Sequence, residues 1–315
     1  MSLIRRSARI ATALVGCGAL ALTSASAAEA SSPATTAARH GGQIPVISLD
    51  MTEAGGFSLP SNVPSGLVTF KVTSPEDGFH AFQGLRINPG YTLDDILYDL
   101  TLGLSDDSAQ NALGHQLLLQ QAVLVGGVVT SPEGPISFTA QLEPGTYYFL
   151  DLNDFFLTGL APRVHTLQAR GALPSGGALP AYDAVIVGTM GADHMPIFQN
   201  VPATFGHNGT FLFVNASDEL HEAVFRPTRP GITDQYITDF YNAVVSGDPN
   251  RPPSPWIGRQ RGLQALSPGR IAWLHIELNT GPNAMICYVP SDEAGPPENG
   301  LPHAYIGMHT MLDLT

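Results

Sequence analysis

The 315-residue sequence predicts an all-β protein made of two tandem Greek-key β-sandwiches, each with a short helical insertion. Three observations lead there. First, 33 Gly and 26 Pro punctuate short apolar runs, and helical periodicity over long stretches is nearly absent. Second, the runs Leu67 to Val72, Ile136 to Leu142, Tyr147 to Leu150, Thr210 to Val214, Ile271 to Leu278 and Ala284 to Val289 read as half-apolar strands. Such strands bury their apolar side only when two sheets face each other. Third, the chain repeats itself. His80 precedes Pro89-Gly90-Tyr91-Thr92 at the same spacing at which His221 precedes Pro230-Gly231-Ile232-Thr233. Ser131-Pro132 then matches Ser267-Pro268, Gly145 matches Gly281, and Val164-His165-Thr166-Leu167 can be laid on Met308-His309-Thr310-Met311.

In chain order, Arg5, Arg6 and Arg9 precede the apolar run Ile10 to Leu22 and the small residues Ala25-Ser26-Ala27, the pattern of a cleaved export signal over 1–28. The run is shorter than the roughly 20 apolar residues that span a bilayer. A rival reading is a lipobox, Leu14-Val15-Gly16-Cys17, which would leave a lipid anchor on Cys17. Residues 29–42, rich in Ala, Ser and Thr, read as a disordered linker. Two homologous domains are expected at 43–172 and 180–315, joined by a Gly- and Pro-rich stretch from Gly171 to Pro180. In each, a Thr at the N-cap position opens an amphipathic segment, Leu93 to Leu100 and Asp234 to Val245, expected to be a helix inserted between strands.

The formal charge is −13, and Lys71 is the only lysine. So acidic a chain disfavours nucleic acid and anionic membranes as partners and favours a basic one. Without Cys17, Cys287 is the single remaining thiol. In an oxidising compartment an unpaired thiol has to be buried, metal-bound or paired between chains. After it come Pro302-His303-Ala304-Tyr305-Ile306-Gly307-Met308, and His221 lies far upstream. Thiolate and thioether are soft ligands that favour copper, and imidazole suits both its oxidation states. His221, Cys287, His303 and Met308 are therefore the candidate ligands of one copper ion.

Through Phe211-Leu212-Phe213-Val214-Asn215 leading to His221, and Cys287 followed by Pro302-His303 and Gly307-Met308, residues 190–315 resemble the cupredoxins, the family of plastocyanin and azurin. The first domain looks like a degenerate cousin. The resemblance implies that the four ligands converge at one pole of the second sandwich. There they would form a blue, type 1 mononuclear site for single-electron transfer, with a redox protein as partner. One departure stands out: fifteen residues separate Cys287 from His303, more than in many family members. A longer loop adds little closure entropy when both ends are anchored. Its Asp292, Glu293 and Glu298 suggest an acidic flap that selects the partner. In the first domain the repeat puts Asp151 in place of Cys287 and Val164 in place of Met308, with Arg163 after Pro162 much as His303 follows Pro302. That copy lacks the soft ligands.

The chain is not expected to be an enzyme. Two-domain nitrite reductases and multicopper oxidases, which it resembles in domain count, connect the blue site to further copper through a His beside the Cys. Here the neighbours are Ile286 and Tyr288. No Gly-x-Ser-x-Gly elbow, P-loop or paired zinc-binding cysteines occur. Two alternatives stay open: a metal-free extracellular sandwich with a binding or structural role, and a copper storage or delivery protein. His194, Met195 and His309 are possible extra ligands. Asn208-Gly209-Thr210 and Asn215-Ala216-Ser217 match glycosylation sequons.

Overall fold

The computed structural model describes residues 43–315 apart from 53–55, 76–77, 157–161, 175–177, 193 and 293–299. The expected signal, the Cys17 motif and the linker lie outside the described residues, as do Glu293 and Glu298. The first half contains β1 (Val46–Asp50), β2 (Asn62–Pro64), β3 (Gly66–Thr73), β4 (His80–Ile87), α1 (Leu93–Gly103), α2 (Ser108–Gln121), β5 (Ala122–Thr130), β6 (Ile136–Leu142), β7 (Gly145–Asp151) and β8 (Val164–Arg170). The second contains β9 (Ala184–Met190), β10 (Pro196–Gln199), β11 (Thr204–Phe205), β12 (Asn208–Asn215), β13 (His221–Pro227), α3 (Asp234–Ser246), β14 (Arg261–Leu266), β15 (Ile271–Glu277), β16 (Gly281–Ile286) and β17 (His309–Leu314).

Two sheets face each other, ordered β1-β3-β6-β15-β12-β9-β10 and β11-β17-β16-β13-β14-β5-β4-β7-β8-β2. Both run through the two halves without a break. Alternation along β3 and β12 puts Val68, Phe70 and Val72, and likewise Phe211 and Phe213, into the layer between the sheets. Phe70 stacks on Phe138, and Phe82 on Phe149, with centroids 5.0 and 5.1 Å apart. Each buried ring contributes about 1.5–3 kcal/mol of transfer free energy. Between β4 and β5 the backbones approach so closely that a Cβ on Gly127 would lie 1.8 Å from the Phe82 carbonyl oxygen. Only glycine fits there.

The sequence repeat is a structural one. Phe70 pairs with Phe138, its counterpart Phe211 pairs with Leu274, and Phe138 and Leu274 pair with each other across the β6/β15 junction. In the other sheet Phe82 pairs with Val128, Ala223 with Leu263, and Val128 with Leu263. An approximate two-fold axis thus passes through both junctions. At the C-terminal end of the repeat, the expected alignment is off by one residue. Phe149 pairs with His165 while its counterpart Met285 pairs with Thr310, so Arg163, not Val164, occupies the place of Met308.

The helical insertion also differs from expectation. Among the described residues the second half has one α-helix, but in the first α1 is followed by a second, α2. Thr92 and Asp95 form a reciprocal capping box at the start of α1, and the Asp107 side chain caps α2 by accepting from Ala109 N and Gln110 N. The helices meet where a Cβ on Gly114 would lie 2.2 Å from Gly103 N. Among the described residues no helix is long and apolar enough to cross a membrane.

Candidate metal centre

His221 opens β13, where the pairing to β14 shifts register between His221 and Ala223. That irregularity turns both His221 and Glu222 inward, each 6% exposed or less. Cys287 follows the last residue of β16, having been expected within the strand. His303 begins a short 3-10 turn, His303–Ile306, and Met308 immediately precedes β17. The long spacing between Cys287 and His303 does not separate them, because the loop is drawn together at its neck. Ser291 N donates to Leu301 O (2.9 Å), His303 N to Val289 O (2.9 Å) and Ala304 N to Cys287 O (2.8 Å). Cys287 N donates to Met308 O (3.2 Å) and Met308 N to His303 O (2.8 Å), a return that requires the left-handed Gly307 at φ 113°.

These hydrogen bonds bring three donor atoms together. His221 Nδ1 lies 3.1 Å from His303 Nδ1, and Cys287 Sγ lies 3.4 Å from His303 Nδ1 and 3.9 Å from His221 Nδ1. No two donor atoms are more than 4.8 Å apart, and all three side chains are buried. Met308, also buried, belongs to the same apolar cluster as Cys287. Of the other candidates, His309 turns away to Asp234 and Thr238, and His194 is exposed. Asn215 is fully buried, its amide donating to Glu219 O and Leu266 O, so this sequon is internal.

The electrostatics are those of a cavity that resists charge in the absence of a cation. Burial holds the His303 imidazole down to about 3 and pushes His221 well below the ordinary value, with His303 contributing further. Burial also raises the Cys287 thiol well above its usual range, and the neighbouring Glu222 carboxylate adds to this. Glu222 itself is raised by burial to about 7 while accepting from Tyr288 N at 2.7 Å. Two Nδ1 atoms 3.1 Å apart can share one proton at most, and the remaining lone pairs converge with the sulfur. Two imidazole nitrogens, a sulfur and a nearby thioether fit a soft cation, and copper best.

Two features of this pole went unforeseen. Glu219 Oε2 lies 2.5 Å from His303 Nε2; an acidic residue two positions before a candidate ligand was its only signal. The other is a cover from the first half. Ile96, Leu100 and Leu118 of α1 and α2 pack in one cluster with Cys287, Val289 and Met308. The Gln116 amide donates to Asp292 O, and a Cβ on Gly300 would lie 2.0 Å from the Ser108 carbonyl oxygen.

The fold is a β-sandwich of two facing sheets, with this pole where β13 begins and β16 ends. No family model and no curated protein sequence matches the chain. Among solved structures, reduced auracyanin from Roseiflexus castenholzii is similar at 14% identity over 42% of this chain and 94% of that one, with a TM-score of 0.24. Copper nitrite reductase from Nitrosomonas europaea is similar at 12% over 87% and 94%, TM-score 0.24. Blue copper oxidase from the same organism is similar at 12% over 85% and 85%, TM-score 0.22.

Proposed function

We propose that this chain is an exported copper protein with one type 1 mononuclear site, and that it passes single electrons. The observation that carries the reading is the convergence of His221 Nδ1, Cys287 Sγ and His303 Nδ1 within one buried pocket. His221 and His303 would hold the ion through ring nitrogens, Cys287 through its thiolate and Met308 weakly through its thioether, and copper held there would supply one-electron redox chemistry. The protein's own contribution is to fix these side chains through the backbone neck and to keep water out with the α1–α2 cover. Both limit rearrangement when the charge changes. Ile286 and Tyr288 flank Cys287, which favours a carrier over a multicopper enzyme. The net charge of −13 favours a basic redox partner, and the amino-terminal pattern favours secretion. The division into domains at 43–172 and 180–315 belongs to the same reading.

The test is addition of Cu(II) to the purified mature protein. Intense thiolate-to-copper absorption at one equivalent, absent in Cys287→Ser, is the expected result. A colourless protein in excess Cu(II) contradicts the proposal.

A further inference from the structure

Both helical insertions lie on one side of the ten-stranded sheet. In β16, Met285 faces the layer between the sheets, while Ala284 and Ile286 pack under α3 against Ile237 and Phe240. In β7, Phe149 faces that layer, while Leu150 packs under α1 and α2 with Ile96 and Leu118. Alternation along the strands therefore puts α1, α2 and α3 on the sheet's outer face.

Their exposed surfaces carry opposite charge. From Asn88 to Gln121 the chain has five Asp and no Lys or Arg. Asp94, Asp95, Asp106 and Asp107 are exposed, as are Tyr98 at 61% and Leu113 at 45%. On the α3 side, the Arg226 guanidinium lies over Trp256, 5.1 Å from the ring centroid, and that of Arg251 over Phe240 at 5.6 Å. Arg229 Nη2 donates to Tyr236 Oη and Pro253 O. Among the described residues none of these three arginines pairs with a carboxylate. Asp234, Asp239 and Asp248 of the same region accept instead from Met311 N, Gln235 Nε2 and Asn250 N. Ile257, next in the chain to Trp256, is 63% exposed.

In a chain of net charge −13 an arginine face is the exception. Its cations and its apolar area complement the acidic α1–α2 hairpin with its exposed Tyr98 and Leu113. A foreign protein would need to match only one of these faces. A second copy matches both at once, because the two lie on one side of one sheet and a two-fold axis lets each copy offer its hairpin to the other's arginines. General repulsion between two acidic chains opposes the contact, but exposed charges more than about 8 Å apart are largely screened at physiological ionic strength, and the facing pairs are closer. We propose that this chain self-associates as a two-fold dimer through the outer face of its ten-stranded sheet, with the α1–α2 hairpin of each copy on the face formed by Arg226, Arg251 and Trp256 of the other. The contact needs no metal, so this proposal and the copper reading fail separately.

Sedimentation equilibrium of the purified metal-free protein tests it, and the wild type should show twice the mass of one chain. Arg251→Glu, at an exposed position, should weaken association by about tenfold or more, since like charges placed face to face repel. Asp94→Lys with Asp106→Lys, which leaves the capping Asp95 and Asp107 in place, should do the same, as should Ile257→Asp. Arg251→Glu, Asp94→Lys and Asp106→Lys together in one chain should restore the dimer, because the charges are then exchanged across the contact. Circular dichroism identifies any variant that fails to fold; if the two Lys substitutions unfold the hairpin, Arg251→Glu and Ile257→Asp carry the test. A wild type that stays monomeric at about 1 mM, beyond the range of any specific dimer of note, overturns the proposal and leaves the two faces to different proteins. So does a dimer that Arg251→Glu and Ile257→Asp leave unchanged, or a folded triple variant that stays monomeric.

Discussion

At the second half's pole, His221, Cys287 and His303 bring two ring nitrogens and a sulfur within 4.8 Å of one another, the sulfur accepting from Glu222 N at 3.4 Å. At the matching pole of the first half, His80 Nδ1 lies 2.5 Å from Asp151 Oδ2, and Asp151 Oδ1 accepts from Ala81 N at 2.9 Å. Beside them Asp154, 1% exposed, binds the Arg163 guanidinium at 2.6 Å. The strand pairing makes Asp151 the counterpart of Cys287 and Arg163 that of Met308. Where the second half places soft acceptors, the first places an acid and a base that satisfy each other. One backbone arrangement therefore supports a pole where sulfur and imidazole nitrogens gather and a pole where a carboxylate pairs with the imidazole Nδ1, leaving His80 Nε2 without a partner.

The sharpest way to break this comparison is to exchange the key side chains one at a time. Cys287→Ser should abolish the blue absorption, while Asp151→Asn should leave it intact. If both variants kept the colour, the donor set would be wrong. Next in size is the effect on stability at the first pole. Removing one partner of a buried pair typically costs about 3–5 kcal/mol, so Asp151→Ala should show that loss in urea unfolding. A change below about 1 kcal/mol, the order of one ordinary hydrogen bond, would mean that the network does not hold this pole together.

A smaller effect is expected where the two halves meet. Gly300 has φ 66°, and its Cβ would press on the Ser108 carbonyl. Gly300→Ala should destabilise by about 1–3 kcal/mol and should speed removal of copper by a chelator, since the α1–α2 cover would be displaced. Unchanged release would indicate that the helices do not guard the metal. The smallest effect concerns pH. Burial holds His115 of α2 down to about 4, with a backbone hydrogen bond to Asn111 opposing. The unfolded imidazole binds its proton below about 6.5, so this group costs stability progressively as pH falls from 6.5 toward 4. Its share of the slope is at most about 1.4 kcal/mol per pH unit, and His115→Gln should reduce the slope by that share, leaving the part due to His221 and His303, in denaturant titrations of the metal-free protein between pH 7 and 5. Equal slopes in the two proteins would contradict that origin.

Much of this was legible in the sequence because it depends on short-range rules. Alternation announced β3, β6 and β12, and a Thr at the N-cap announced α1 and α3. The four candidate ligands were visible by chemical type. The remainder depends on partners distant in the chain. Helix α2 shows no apolar stripe because its inner side is made of Ala112, Gly114, His115 and Leu118, while Leu113 is 45% exposed. Its amphipathicity is a matter of fit against α1, which composition does not record. Nor could spacing reveal that a turn between Asn215 and Glu219 aims a carboxylate at His303, or that helices of the first half cover the pole of the second. The one-residue slip in aligning Val164 arose because the loops before β8 and β17 differ in length, and only strand pairing fixes the register.

The most direct measurement is a crystal structure of the copper-loaded protein with anomalous scattering recorded at the copper edge. The account predicts one peak per chain, within bonding reach of His221 Nδ1, Cys287 Sγ and His303 Nδ1, and none beside His80 and Asp151. A peak at the His80 pole, or none at the Cys287 pole, would contradict it.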